Sequence, residues 1–159
     1  MTISVGDKLP SADLMEMTDK GPSKLSVNEV FDGKKIALFA VPGAFTPTCS
    51  AKHLPGFIAN LDALKGKGVD EIICLSVNDP FVMAAWGKAQ SADGVRMIAD
   101  PDGALTKAMG VEFDASGAGL GVRSRRYSMI VENGAVSQLN LEETGGFEVS
   151  DAETLLGQL

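Results

Sequence analysis

Cysteine and histidine are scarce in this sequence of 159 residues, which has two cysteines and one histidine. Two cysteines are too few for the disulfide framework that stabilises many small secreted domains. These three side chains also cannot supply the four ligands of a structural zinc site made of cysteine and histidine. We therefore expect neither a metal nor another cofactor. If Cys49 and Cys74 have a role in function, they have it as thiols.

Positive charge and long apolar segments are lacking as well. The sequence has 14 basic and 21 acidic residues and a formal net charge of −7, which disfavours a phosphate-neutralising surface, so nucleic acid is not an expected partner. The longest near-continuous apolar stretch, residues 36–45, spans about half of the ~20 residues that a membrane helix needs. Residues 1–10 show no basic segment followed by an apolar one. We predict a cytoplasmic protein that does not cross a membrane.

The chain has the length and composition of one folded domain. Hydrophobic residues make up 45% and charged residues 22% of it, as in ordinary globular proteins. Domains usually contain roughly 100–200 residues. We predict a single domain over residues 1–159.

Apolar runs of strand length alternate with segments of helical periodicity along most of the chain. Strands are predicted at 35–41, 69–77 and 95–99, and helices at 46–64, from 80 onwards and at 104–109. Pro55 is expected to bend or interrupt the first of these helices. Alternation of this kind is typical of parallel strands connected through helices.

The last third of the chain has a different pattern. Residues 113–121 hold three glycines and no periodicity, which predicts a loop. Asn133-Gly134 separates the strand-like segments 126–131 and 135–141, and Asn-Gly is a strong signal for a hairpin. Ser150 is expected to cap a final helix over 150–159, with Glu153 as its capping-box partner. Together these elements predict a three-layer α/β fold, a mixed central sheet flanked by helices.

The segment 41–49 leads from the end of a predicted buried strand into the start of a helix, where active sites of open α/β sheets gather. Cys49 then lies in the first helical turn, where unpaired N–H groups and the helix dipole favour a thiolate. Thr46 is placed to cap the helix and to direct its hydroxyl at that sulfur. Pro42 either ends the strand or shields the cysteine. Without this context, Cys49 would be read as an inert buried thiol.

Other residues of interest allow a structural and a functional interpretation. Cys74 sits in the apolar run Ile-Ile-Cys-Leu, which favours an unreactive buried thiol. His53 follows Cys49 by four residues, so a Cys–His pair is conceivable, although a packed histidine is favoured. Arg123, Arg125 and Arg126 form either a surface patch or the counter-ion to a thiolate. Strand alternation puts Arg126, Ser128 and Ile130 on one face but does not by itself select the arginine.

Pro42, Thr46 and Cys49 also form the proline-x-x-x-threonine-x-x-cysteine signature of the peroxiredoxins. The run Pro-Gly-Ala-Phe-Thr-Pro-Thr-Cys-Ser at 42–50 is similar to the type II, or peroxiredoxin-five-like, subgroup. The similarity extends through His-Leu-Pro-Gly-Phe at 53–57, Cys-Leu-Ser-Val-Asn-Asp at 74–79 and Arg-Tyr-Ser-Met at 126–129. It covers nearly the whole chain.

This resemblance implies a thioredoxin-like fold and the reduction of hydrogen peroxide and organic hydroperoxides. Cys49 would be the cysteine that becomes a sulfenic acid, and Arg126 matches the family's catalytic arginine. Thr46 would hydrogen-bond the peroxide, and Pro42 would shield the sulfenate from water. Members of the subgroup are commonly homodimers.

The sequence departs from part of the subgroup because residues 142–150 contain no resolving cysteine. Glutathione, glutaredoxin or thioredoxin is therefore the expected reductant. Two other functions stay open at this point, a redox-sensing binding module and a thiol transferase. The second is disfavoured because Thr46 stands where a Cys-x-x-Cys motif would have its first cysteine.

Overall fold

A seven-stranded mixed sheet forms the centre of the molecule, and the computed structural model describes residues 1–159. Its strands are Asp13–Thr18 (β1), Gly21–Ser26 (β2), Lys35–Val41 (β3), Glu71–Ser76 (β4), Val95–Ala99 (β5), Tyr127–Glu132 (β8) and Ala135–Leu141 (β9). The spatial order is β2-β1-β5-β4-β3-β8-β9. Strands β3, β4 and β5 are parallel, and the remaining pairs are antiparallel. The predicted mixed sheet is confirmed.

Helices cover both faces of this sheet. The α-helices are Val27–Phe31 (α1), Leu54–Ala59 (α2), Leu61–Gly66 (α3), Pro80–Ala89 (α4), Ala104–Ala108 (α5) and Ala152–Gly157 (α6). A π-helical segment spans Cys49–His53 and a short 3-10 helix spans Ser116–Ala118. The strands Glu112–Asp114 (β6) and Val122–Ser124 (β7) form a separate two-stranded sheet. None of the helices is both long and apolar enough to cross a bilayer.

The side chains of β3 alternate between two apolar cores, one on each face of the sheet. Ile36 and Leu38 pack with buried residues of α1 and α5, whereas Ala37 and Phe39 pack with those of α2, α4 and α6. Such alternation follows from the two-residue period of a strand. Cys49 belongs to the second core. The predicted three-layer architecture is therefore the one observed.

Several predicted elements are confirmed and others are wrong in detail. Strands at 35–41 and 95–99 form as predicted, and the hairpin turns at Asn133 and Gly134, both with positive φ. The predicted helix over 46–64 is divided into the π-helical segment, α2 and α3. The region 113–121, predicted as a loop, contributes to β6 and contains the 3-10 helix.

Two features near the chain ends differ from the prediction. The hairpin of β1 and β2 is not predicted by the sequence, because most of its side chains are exposed or half-buried and show no regular alternation of apolar and polar residues. At the other end the helix cap is Asp151, which accepts from the Thr154 N–H, and not Ser150. The Ser150 hydroxyl instead donates to the Glu142 carboxylate at 2.7 Å.

Candidate active site

The loop that follows β3 carries the predicted site and is fixed from a neighbouring strand end. The Asn78 carboxamide oxygen accepts from the Ala44 N–H at 3.0 Å, and from the Ser76 hydroxyl at 2.6 Å. Because β3 and β4 are parallel, their carboxyl ends meet at the same edge of the sheet. Asn78, which follows β4, is thereby within reach of the loop after β3.

Cys49 begins the π-helical segment and is completely buried. The Leu54 N–H donates to the Cys49 carbonyl, a bond between residues five apart that defines the wider turn. Pro55 has no N–H to donate to the preceding turn, so a regular α-helical bond is unavailable there. The Trp86 indole, donating to the Ser50 hydroxyl at 3.0 Å, ties the segment to α4. The interruption predicted at Pro55 therefore takes the form of a widened turn.

Arg126 meets Cys49 directly. Its Nη2 lies 3.2 Å from the Cys49 Sγ and donates to it. Arg126 immediately precedes β8. Ile130, four residues later and on the same side of the strand, packs in the same core as Cys49. Tyr127 and Met129 face the opposite core. Arg126 therefore shares a face with Ile130, as strand alternation predicts, and the structure shows that this face is the one toward Cys49.

Thr46 neither caps the helix nor directs its hydroxyl proton at the Cys49 sulfur, and both predictions are wrong. Its hydroxyl donates to the Gly43 carbonyl at 2.6 Å, across the turn that contains Phe45 with its φ of 65°. The carbonyl of Thr46, rather than its side chain, accepts the helical N–H of Ser50 at 3.0 Å. With its proton engaged, the Thr46 hydroxyl oxygen has only acceptor capacity left for a bound molecule.

A cavity of about 310 Å³ opens at this position. Its wall includes the predicted residues Pro42, Thr46 and Arg126, together with Thr48, Phe113, Arg125 and residues 143–146. Three of the four residues predicted for the site thus share one cavity. The fourth, Cys49, is outside its wall and receives a hydrogen bond from Arg126, which is part of the wall. A small molecule that enters this cavity would contact the wall residues Arg126, with its guanidinium, and Thr46, with its hydroxyl.

The other two arginines of the cluster contact backbone carbonyls and not the sulfur. Arg123 donates to the carbonyls of Leu120 at 2.8 Å and Pro42 at 3.3 Å. Arg125 donates to the carbonyl of Glu142 at 2.7 Å. The two guanidinium groups therefore do not form the surface patch that was one of the two predictions for this arginine cluster.

His53 has a place in the site that the sequence did not indicate. It makes no hydrogen bond to Cys49; its Nδ1 lies 3.0 Å from Nη1 of Arg126 and its Nε2 lies 2.9 Å from the carbonyl of Ser150. A carbonyl only accepts, so Nε2 carries the proton and Nδ1 accepts from the arginine. Burial, and next the charge of Arg126, lower the pKa of His53 to about 3. The histidine is therefore a neutral partner of the arginine.

Phe147 closes the site from the loop that follows β9. Its ring centroid lies 5.0 Å from that of His53, and the Arg126 guanidinium carbon lies 5.7 Å from the same centroid. A guanidinium over an aromatic face is attracted by the ring quadrupole. Phe147 thus contacts both partners of the hydrogen bond between His53 and Arg126.

Cys74 is a buried thiol in the middle of β4, paired with Phe39 and Met97 on the flanking strands. Burial, and next the proximity of Cys49, raise the pKa of its thiol well above the usual value. Both cysteines are free. A thiol that resists ionisation is a poor nucleophile, as the apolar run around Cys74 predicts.

This geometry suits nucleophilic chemistry at sulfur. A guanidinium held against Sγ stabilises a thiolate and also any negative charge that develops on a molecule attacked by it. The chain offers no group of three or more histidine, cysteine, aspartate or glutamate side chains that could hold a metal ion.

Known proteins match this chain over nearly its whole length. The Redoxin family model matches residues 4–156. Peroxiredoxin-2D of Arabidopsis thaliana is 48% identical over 159 residues, which cover 99% of this chain and 98% of the relative. The crystal structure of reduced Prx3 from Vibrio vulnificus in complex with H2O2 has a TM-score of 0.96 and 54% identity over 99% of both chains.

A more distant structure extends the comparison to the subgroup that the sequence resembles. Peroxiredoxin 5 from Alvinella pompejana has a TM-score of 0.86 and 35% identity over 97% of this chain and 96% of that protein. Relatives at these levels of identity and coverage share the fold along essentially the whole of this chain. The chain belongs to the Redoxin family, and within it to the type II peroxiredoxins, which are thiol-dependent peroxidases.

Proposed function

We propose that Cys49 is the cysteine that reduces hydrogen peroxide and organic hydroperoxides. The observation that supports this most directly is the 3.2 Å contact between Nη2 of Arg126 and Sγ of Cys49. The thiolate attacks one peroxide oxygen, so that an S–O bond forms while the O–O bond breaks. The other oxygen leaves as hydroxide or alkoxide and takes up a proton to become water or an alcohol. Sulfur is oxidised by two electrons to a sulfenic acid.

Thr46 and Pro42 have supporting roles in this proposal. Because the Thr46 hydroxyl donates to Gly43 at 2.6 Å, its oxygen accepts a hydrogen bond from the peroxide O–H and holds the peroxide over the sulfur. Pro42 forms part of the cavity wall, and its ring carries no donor that could hold water against the sulfenic acid. Arg126 stabilises both the thiolate and the departing oxygen.

An external thiol regenerates Cys49. Residues 142–150 contain no cysteine, and Cys74 is buried with the pKa of its thiol raised by that burial. A first thiolate of glutathione, glutaredoxin or thioredoxin displaces water from the sulfenic acid and forms a mixed disulfide. A second thiolate attacks that disulfide, releases the Cys49 thiolate and leaves the reductant oxidised.

The two cysteines provide the test of this proposal. Cys49→Ser should abolish peroxide consumption with every reductant of a panel of glutathione, glutaredoxin and thioredoxin. Cys74→Ser should retain most of the wild-type turnover because that thiol takes no part in the cycle. If Cys74→Ser stops steady-state turnover while one stoichiometric oxidation of the protein survives, Cys74 resolves the sulfenic acid and the external-thiol proposal is wrong.

The assembly and the cellular location are further proposals. Phe45 and Phe81 are 56% and 62% exposed beside the ends of β3 and β4, and covering such apolar side chains favours a homodimer through this edge. Two free cysteines suit a reducing compartment such as the cytoplasm. Fractionation of cells that express the tagged protein tests the location, and recovery in an organelle fraction would contradict it.

A further inference from the structure

A buried carboxylate outside the cavity organises the loop that closes the site. Glu142 follows β9 directly and is only 3% exposed. Its Oε2 accepts from the N–H groups of Glu148, Val149 and Ser150, each at 2.8 Å, and from the Ser150 hydroxyl at 2.7 Å. Its Oε1 also accepts from the Glu148 N–H at 2.9 Å. Charge-assisted bonds of this kind are stronger than those between neutral groups.

The backbone of Glu142 is bound to the arginine segment as well. Its N–H donates to the carbonyl of Arg126 at 3.0 Å, and its carbonyl accepts from Arg125 Nη2 at 2.7 Å. Glu142 therefore connects residues 148–150 with residues 125 and 126. No hydrogen bond joins it to Cys49, and it is absent from the cavity wall.

The residue that Glu142 holds most tightly, Ser150, is the one that binds His53. Two bonds to the carboxylate, from the N–H and from the hydroxyl, fix Ser150, and its carbonyl accepts from Nε2 of His53 at 2.9 Å. Only the tautomer with its proton on Nε2 makes that bond, and this tautomer leaves Nδ1 as the acceptor for Arg126. With Nη1 held at 3.0 Å by His53, Nη2 is directed at the sulfur of Cys49.

We propose that Glu142 is a positioning residue for the peroxidase reaction, which acts through Ser150 and His53 to direct the Arg126 guanidinium at Cys49. The proposal rests on the role of Arg126 and Cys49 given under the proposed function. Loss of the carboxylate releases the Ser150 carbonyl, so His53 also populates the tautomer with a proton on Nδ1. That proton faces the N–H groups of Arg126, and the guanidinium turns away from the sulfur.

Glu142→Gln and Glu142→Ala test the proposal, with Glu148→Gln as the matched control. Glutamine has the same shape, but its amide N–H groups would confront the donors of residues 148–150. Glu148 has an exposed side chain, so its substitution removes a like charge nearby while the backbone bond to Glu142 stays. The measurement is the second-order rate of sulfenic acid formation at Cys49 with hydrogen peroxide. We expect about a tenfold loss for Ala and about threefold for Gln, and wild-type rates for Glu148→Gln.

Two further readouts separate positioning from general damage to the structure. His53 is the single histidine of the chain, so imidazole nitrogen NMR reports its tautomer without ambiguity, and both Glu142 variants should show a mixture. In the double-mutant cycle, adding Glu142→Gln or Glu142→Ala to Arg126→Gln should cause almost no additional loss, because the arginine through which Glu142 acts is already gone.

The outcomes are distinguishable from those of the proposed function. Losses that multiply in the double-mutant cycle, or an unchanged His53 tautomer in the Glu142 variants, would overturn the positioning role while wild-type oxidation of Cys49 remained intact. Wild-type protein that forms no sulfenic acid at Cys49 would refute the proposed function, and the positioning role with it. If Glu142→Ala does not fold, Glu142→Gln decides by the same criteria.

Discussion

Replacement of Arg126 by glutamine removes the positive charge that contacts the Cys49 sulfur at 3.2 Å. Two unit charges whose centres lie about 4 Å apart attract by about 4 kcal/mol at an effective dielectric constant near 20. Arg126 is half-buried, so solvent screening reduces this figure. If about a third of it remains, the loss is about 1.4 kcal/mol, which corresponds to about tenfold in a rate.

Arg126→Gln should therefore slow the oxidation of Cys49 by at least about tenfold. Stopped-flow oxidation by hydrogen peroxide, recorded in the Cys74→Ser background, measures the rate. The rate falls because the same guanidinium stabilises the thiolate and the departing oxygen.

Arg123→Gln is the comparison variant, because Arg123 donates to backbone carbonyls and not to the sulfur and is absent from the cavity wall. We expect this variant to react much like the wild type. An unchanged rate in Arg126→Gln would refute the electrostatic reasoning. A large effect of Arg123→Gln would transfer the role to that arginine.

Three other perturbations test separate parts of the structure. Phe81→Glu should convert the proposed dimer to single chains in light scattering, because a charge replaces an exposed phenyl ring of the proposed interface; a wild type that is already monomeric would contradict the dimer. Thr46→Val should slow oxidation of Cys49 about tenfold and Thr46→Ser should not, since only valine lacks the hydroxyl that binds Gly43; equal rates would exclude the acceptor role. The pKa of His53 is lowered to about 3 by burial and Arg126, so the folded protein stays neutral at this position while the unfolded imidazole protonates near pH 6.5. Stability is thus fully present above that pH, and the free energy of unfolding should fall by about 1.4 kcal/mol per pH unit on acidification from about 6 to about 4. Urea titrations of wild type and His53→Gln measure it, and equal slopes would contradict the buried neutral histidine.

The fold was predictable wherever the local pattern and the tertiary environment agree. The run 36–41 is apolar throughout because β3 is covered on both faces, and Asn133-Gly134 can adopt the positive φ that its hairpin needs. The widened turn at Cys49–His53 is less predictable from the sequence. Pro55 only excludes the α-helical hydrogen bond that its N–H would have donated. The tertiary packing of α2 determines that a π-helical turn forms instead. The cap of α6 is Asp151, one residue after the predicted Ser150, because the Ser150 hydroxyl is bound by the Glu142 carboxylate.

The sequence by itself determined the segment 42–49, because strand end, turn and helix start are set by neighbouring residues, and it assigned Cys74 to the core from its apolar neighbours. Strand alternation grouped Arg126 with Ser128 and Ile130 on one face but did not select the arginine that serves as counter-ion. Only the tertiary structure decided that Arg126 donates to the sulfur of Cys49. The same holds for the hydrogen bonds from His53 to Ser150 and from Ser150 to Glu142. Those contacts join residues that are far apart in the chain, and they depend on the register of β8 against β3 and on the path of the loop after β9. No local sequence pattern carries that information, because these contacts are set by the tertiary arrangement of separate elements.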